Sequence, residues 1–169
     1  MPDLDIVRFL AGPRRREYAE VKTKAAFCMW NYDKPSALVS RETIELRTGI
    51  DLKYWHSYQW YSQKYYDERL WILFVQVLPY VQLRKREYMD VNQPCGIYRQ
   101  EITVLDSLLK HGSGNQSNQM VYWPVNDLVL FRSEKSLLSH PSTAQLWQQL
   151  QNLALQSMVR RLLRKVSLT

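Results

Sequence analysis

The chain has 169 residues and a net charge of +7, with 46% hydrophobic and 23% charged residues. This length supports one compact domain, or one domain with a projecting helix, and the composition excludes a disordered tail protein and a collagen-like repeat. A membrane span is excluded as well, because the longest apolar stretch is about half of the ~20 residues that a spanning helix needs.

In the first half of the chain, the pattern predicts mainly helices. Residues 17–30 place apolar side chains at helical spacing. Ser40 is a candidate N-cap for a short helix over residues 41–48, which would end at Gly49. Asp51 is a candidate N-cap for an aromatic helix over residues 52–66. We therefore expect one short helix and two longer ones before residue 67.

The second half predicts both strands and helices. Strands are expected at residues 70–77, 80–83, 120–123 and 127–131. Helices are expected at residues 98–110 and from residue 142 to about residue 166, and residues 111–119 form a flexible loop. The predicted fold class is α+β: about four helices around a small antiparallel sheet, with a long amphipathic C-terminal helix. Residues 1–140 would form the core domain, and residues 141–169 a basic helix packed on this core or on a partner.

Residues 40–58 resemble a helix-turn-helix motif. Ile44, Gly49, Ile50 and Trp55 occupy the places where that motif needs apolar residues and a turn glycine. Glu45 departs from the pattern, because a small residue usually stands there. If the motif is real, Lys53 contacts phosphate and His56 reaches a base edge. A plain corner between two helices is the alternative interpretation.

The basic residues are unevenly distributed. Residues 113–169 contain six basic and two acidic residues, and no acidic residue follows Glu134. Two basic triplets and one C-terminal basic cluster are candidate phosphate contacts. The first triplet is Arg14, Arg15 and Arg16; the second is Arg84, Lys85 and Arg86; the C-terminal basic cluster is Arg160, Arg161, Arg164 and Lys165.

The C-terminal helix has two apolar faces at about 100° per residue. The first apolar stripe contains Leu146, Trp147, Leu150, Leu153 and Ala154. The second apolar stripe contains Leu155, Val159, Leu162 and Val166. Two faces need two contact surfaces if the helix is continuous, whereas a bend near Gln156 would let both halves fold back on one core. We predict that the second apolar stripe is a partner interface.

Catalytic and metal-binding signatures are missing from the sequence. Its three histidines lie far apart, and no phosphate-binding loop or nucleophile elbow is present. We therefore expect no enzymatic activity, no metal and no cofactor. Two cysteines form neither a disulfide framework nor a zinc set, and no signal peptide is evident, so we expect an intracellular protein.

Charge and aromatic content together favour a binding function. Six tryptophans and eleven tyrosines stand against four phenylalanines, and such rings suit binding surfaces. We predict a non-enzymatic nucleic-acid-binding protein that uses the C-terminal basic cluster and the residue 40–58 motif, with DNA favoured over RNA. The alternative is an assembly or adaptor factor, in which the Tyr/Trp surface and the C-terminal helix bind an acidic protein partner or a second copy of the chain.

Overall fold

A computed structural model describes residues 4–6, 17–29, 45–84 and 87–166 of the chain. Eleven strands and four α-helices lie within these ranges. The strands are β1 Leu4–Ile6, β2 Glu17–Lys24, β3 Phe27–Met29, β4 Leu46–Asp51, β5 Arg69–Gln76, β6 Tyr80–Arg84, β7 Glu87–Asp90, β8 Gly96–Glu101, β9 Asn115–Gln116, β10 Met120–Pro124 and β11 Val129–Ser133. The helices are α1 Leu52–Lys64, α2 Ile102–His111, α3 Glu134–Leu138 and α4 Pro141–Val166.

The strands form two sheets. The order is β1-β2-β5-β8-β11 in the five-stranded sheet and β7-β6-β3-β4-β10-β9 in the six-stranded sheet. Strand β1 pairs antiparallel with β2, and Leu4 lies opposite Ala19 in the register. Strands β3 and β6 are parallel. The predicted α+β class and the long C-terminal helix are confirmed, but the sheets are larger than expected and one of them is mixed.

The chain divides into two compact units. Unit 1 contains Met1–Lys22, Thr48–Phe74 and Tyr98–Val129, and unit 2 contains Thr23–Arg47, Val75–Ile97 and Leu130–Thr169. In unit 1, the rings of Trp55 and Trp123 pack edge to face with centroids 5.0 Å apart, and the indole nitrogen of Trp123 donates to the Leu105 carbonyl oxygen. In unit 2, Phe27, Val77 and Val81 are fully buried. Each unit therefore has its own apolar core.

The prediction of a helix over residues 17–30 is wrong for the described residues 17–29. They form β2 and β3 instead. The helical spacing there covers only a few residues, and a short apolar pattern cannot by itself separate a helix from a strand. Pairing with β1 satisfies backbone groups of β2 by hydrogen bonds from outside the segment, so tertiary structure decided the outcome.

The helix-turn-helix interpretation of residues 40–58 is also wrong. Residues 41–44 lie outside the described residues, but Leu46–Asp51 is strand β4, so no helix precedes Gly49 there. The only described glycine with a positive φ is Gly96. A Cβ on Gly49 would lie 2.5 Å from the Val121 carbonyl oxygen and 2.7 Å from the Tyr122 ring. Gly49 therefore allows β10 to approach β4 closely, and it does not end a helix.

Most later elements agree with the prediction. Helix α1 and strands β5, β6, β10 and β11 lie where the sequence pattern places them. The helix expected over residues 98–110 is in part strand β8, and helix α2 begins only at Ile102. Helix α4 is continuous from Pro141 to Val166, so the predicted alternative of a break near Gln156 is not observed. Within the described ranges, no helix is long and apolar enough to cross a membrane.

Candidate nucleic-acid interface

Helix α1 is fixed in unit 1 by its buried side. Trp55 and Tyr58 are the buried residues of this helix, and Trp55 packs on Trp123. The amide of Gln59 donates to Asp106 of α2 over 2.6 Å. The first backbone N–H of the helix, that of Leu52, donates to the Gln119 carbonyl oxygen over 2.7 Å. These contacts hold the helix in place while its opposite side faces solvent.

The solvent side of α1 combines lysines with a large aromatic ring. Four residues fall within about 60° of one another around the helix axis at 100° per residue. We call them the α1 outer stripe; they are Lys53, Ser57, Trp60 and Lys64. Trp60 is 58% exposed, although tryptophan is usually well buried. The Lys64 ammonium lies 4.7 Å from the centre of the Trp60 ring.

Tyr54 lies beside this stripe, and two cations lie near its ring. The Lys53 ammonium is 4.7 Å and the Lys22 ammonium 4.9 Å from the centre of its ring. Tyr66, just after the helix, is also highly exposed. Aromatic rings next to cations are the groups that stack on bases and contact phosphates. Unit 1 thus presents both kinds of group on one surface.

A buried polar cluster lies on strand β2, next to Tyr54. Glu20 is only 4% exposed. Its Oε1 atom accepts a hydrogen bond from Lys22 over 2.5 Å and a second one from the Tyr58 hydroxyl of α1. Because alternate residues of a strand point to the same side, Glu20 and Lys22 share one face of β2. We call Glu20, Lys22 and Tyr58 the β2 cluster.

A second carboxylate orders the end of α1. Glu68 accepts hydrogen bonds from the hydroxyl of Tyr61 over 2.9 Å and from that of Tyr18. Burial, followed by the hydrogen bond and the negative charge of Glu68, raises the pKa of Tyr61 well above its ordinary value. Tyr61 is therefore a neutral hydrogen-bond donor at physiological pH and is not a base.

Several of the predicted site residues can be placed in the structure, whereas others lie outside the described residues. Lys53 and His56 are both exposed on α1, so the helix predicted for them exists although the motif does not. Arg160 is exposed on α4. The first basic triplet and Lys85 and Arg86 of the second lie outside the described residues. The side chains of Arg84, Arg161, Arg164 and Lys165 also lie outside them.

Helix α4 is anchored in unit 2 mainly through its first half. Trp147 is buried, and both its indole nitrogen and the Gln151 amide donate to the Glu134 carboxylate. Leu153 of the first apolar stripe is nevertheless 63% exposed, and Leu155 and Val159 of the second stripe are exposed as well. The side chains of Leu162 and Val166 lie outside the described residues. Leu155 and Val159 are therefore not fully covered by the residues that the structure describes.

The sequence pattern does not indicate the β2 cluster or Trp60 as functional. The predicted helix over residues 17–30 would separate Glu20 and Lys22 by about 200° around its axis. The alternation of Tyr18, Glu20, Lys22 and Lys24 with smaller residues is a period-two signal that favours a strand. The hydrogen bond from Tyr58 to Glu20 joins residues 38 positions apart, and no local pattern predicts it.

Comparison of the chain with protein-family models, curated proteins and solved structures finds no match.

Proposed function

We propose that unit 1 binds single-stranded nucleic acid along the exposed side of α1. The observation that carries this proposal is the exposed Trp60 ring with the Lys64 ammonium 4.7 Å from its centre, on the same stripe as Lys53. At a rise of 1.5 Å per residue, the eleven steps from Lys53 to Lys64 span about 16.5 Å. This length places two cations and one ring along a segment of several nucleotides.

A single strand fits this surface better than a duplex. Unpaired bases can stack on exposed rings, and each stacked base contributes about 1–3 kcal/mol. The preference for DNA over RNA depended on the helix-turn-helix motif and loses its support with it. The net charge of +7 supports a polyanionic partner, whether DNA or RNA.

A titration of fluorescent oligonucleotides at several salt concentrations tests this proposal. Trp60→Ala should weaken binding roughly 5- to 150-fold, which corresponds to one lost stacking interaction. Lys53→Gln combined with Lys64→Gln should weaken binding to all strands and lower the salt slope by about 0.7 for each lost phosphate contact.

Arg132→Gln with Lys135→Gln is the matched control, because it removes the same charge from exposed basic residues outside α1. If the control pair weakens binding as much as the α1 pair does, only net charge matters. In that case, or if Trp60→Ala binds as well as the original chain, the α1 surface is not the binding site.

The β2 cluster favours a second function, the hydrolysis of phosphodiester bonds. The buried Glu20 carboxylate is paired with the Lys22 ammonium at 2.5 Å, and taking both charges out of water is costly. Because apolar residues in place of such a pair are often stabilising, the pair favours a functional role. The pair lies beside Tyr54 in the unit with the exposed lysines, so we expect it to act on the bound strand. The sequence-based prediction that the protein has no enzymatic activity is untested, and this second proposal is the opposite of it.

The described part of the chain contains no group of three or more His, Cys, Asp or Glu residues that could hold a metal ion, so no step is assigned to one. Glu20 would position the Lys22 ammonium, with which it is paired at 2.5 Å. In the reaction, a water oxygen bonds to phosphorus and releases a proton to solvent, one ester P–O bond breaks, and the leaving alkoxide takes up a proton from solvent. The Lys22 ammonium would stabilise the negative charge that develops on the phosphoryl oxygens.

A nuclease assay with and without Mg²⁺ tests this second function. Glu20→Gln and Lys22→Met should each lower cleavage by at least about 100-fold while leaving strand binding largely intact. Glu17→Gln is the matched control, because Glu17 is also a buried carboxylate on β2. It lies three residues from Glu20 and therefore on the other face of the strand. Full activity in Glu20→Gln, or no cleavage by the unmodified chain with Mg²⁺, Mn²⁺ or Ca²⁺, would refute it.

The protein-interaction alternative is supported by the exposed side chains of Leu153 and Leu155 on α4. The intracellular location stays a prediction, which the two free thiols of Cys28 and Cys95 support.

A further inference from the structure

An open cavity of about 510 Å³ lies at the start of α1 in unit 1. Its volume falls within the range of sites that bind small organic groups. Residues from the beginning of the helix and from the loop between β9 and β10 line it. They are Asp51, Leu52, Lys53, His56, Asn118 and Gln119.

The loop that forms one wall of this cavity is held by hydrogen bonds. The Ser117 N–H donates to the Met120 carbonyl oxygen, and the Ser117 hydroxyl accepts from the backbone N–H groups of Gln119 and Met120. The Gln119 carbonyl oxygen accepts from the first N–H of α1. The two walls are thus tied to each other, and Asn118 and Gln119 extend from a preformed turn.

The lining combines groups that recognise a base with one that recognises a phosphate. The two amide side chains and the imidazole of His56 offer both donors and acceptors, and Lys53 offers a positive charge. An Asn or Gln amide can form two hydrogen bonds to adenine, through N6 and N7. The Asp51 carboxylate disfavours a phosphate inside the cavity, whereas it tolerates an uncharged base.

We infer that this cavity receives one unpaired base of the bound strand, adenine preferred, with Lys53 on the adjacent phosphate. The inference rests on the proposed binding function and adds a base preference to it. The α1 outer stripe begins at Lys53, so a strand that lies along the helix passes the mouth of the cavity. Stacking on Trp60 then supplies affinity for any sequence, and the cavity supplies selectivity.

The test compares a thymine oligonucleotide with the same strand carrying one central adenine. Asn118→Ala combined with Gln119→Ala should weaken binding of the adenine strand by about 5- to 150-fold, the value of one bidentate base contact. Binding of the all-thymine strand should stay unchanged. Gln116→Ala with Asn126→Ala is the matched control, because both amides are exposed and lie outside the cavity lining.

A second readout uses 2-aminopurine in place of the adenine, and its fluorescence should change on binding to the original chain but not to the double variant. Equal affinity of the original chain and the double variant for the adenine strand would overturn the inference and leave the proposed function standing. If the original chain binds neither strand at low salt, the adenine preference and the proposed single-strand binding are both refuted. Thermal denaturation confirms that the variants remain folded.

Discussion

Replacing Gly49 tests the assignment of residues 46–51 to a strand. The first atom that a Cβ would meet is the Val121 carbonyl oxygen at 2.5 Å, a backbone atom that cannot rotate away. The second is the Tyr122 ring at 2.7 Å. Extra methyl groups in a close-packed site typically cost ~1–3 kcal/mol, and the backbone clash places Gly49→Ala in the upper part of this range. The melting temperature should fall by about 2–4 °C for each kcal/mol.

Urea denaturation followed by tryptophan fluorescence measures this loss, since Trp55 and Trp123 are buried in the same unit. Gly49→Asn separates the two explanations for the glycine. If Gly49 ended a helix with a positive φ, asparagine would be tolerated better than alanine. A close strand approach instead makes the larger asparagine worse. Gly112→Ala is a milder control, because its nearest contacts are at 3.2 Å. Unchanged stability in Gly49→Ala, or asparagine more stable than alanine, would refute the reasoning.

Three further predictions concern unit 2. Replacing the C-terminal basic cluster by glutamine tests the separate prediction that these four residues contact phosphate: binding to all sequences should weaken and its salt dependence should flatten, whereas unchanged affinity would contradict that prediction and leave the α1 proposal standing. Leu155→Asp with Val159→Asp should leave the monomer folded, because both side chains are partly exposed, and should dissolve any assembly seen by light scattering; an unchanged mass would argue against an interface on this stripe. Burial, with Glu134 and Asp90 adding to it, raises the pKa of Cys95 from 9.0 to about 12. Its stabilising contribution is therefore complete below pH 9 and is lost as the pH rises towards 12, because the unfolded thiol ionises first. Alkylation at pH 8 should modify Cys95 only after denaturation, and rapid labelling of the native chain would contradict its burial.

The sequence by itself determined the elements with long or strongly biased patterns. Strand β5 follows from a continuous apolar run, and α1 from its aromatic periodicity after Asp51. Helix α4 is long enough for its period to be unambiguous. The sequence also located Lys53 and His56 on the exposed surface of a helix, because their positions relative to the buried Trp55 depend only on helix geometry.

Only the tertiary structure decided the identity of β2 and β4. Residues 17–24 and 46–51 are short, and over so few residues neither an apolar spacing nor an alternation is decisive until a neighbouring strand supplies hydrogen-bond partners. The role of Gly49 also depends on tertiary structure, because the atom that leaves no room for a Cβ is the carbonyl oxygen of Val121. The β2 cluster and the cavity of Asn118 and Gln119 depend on contacts between residues far apart in sequence, which periodicity does not encode. Local patterns determine which residues can share a face, whereas strand pairing determines which faces meet.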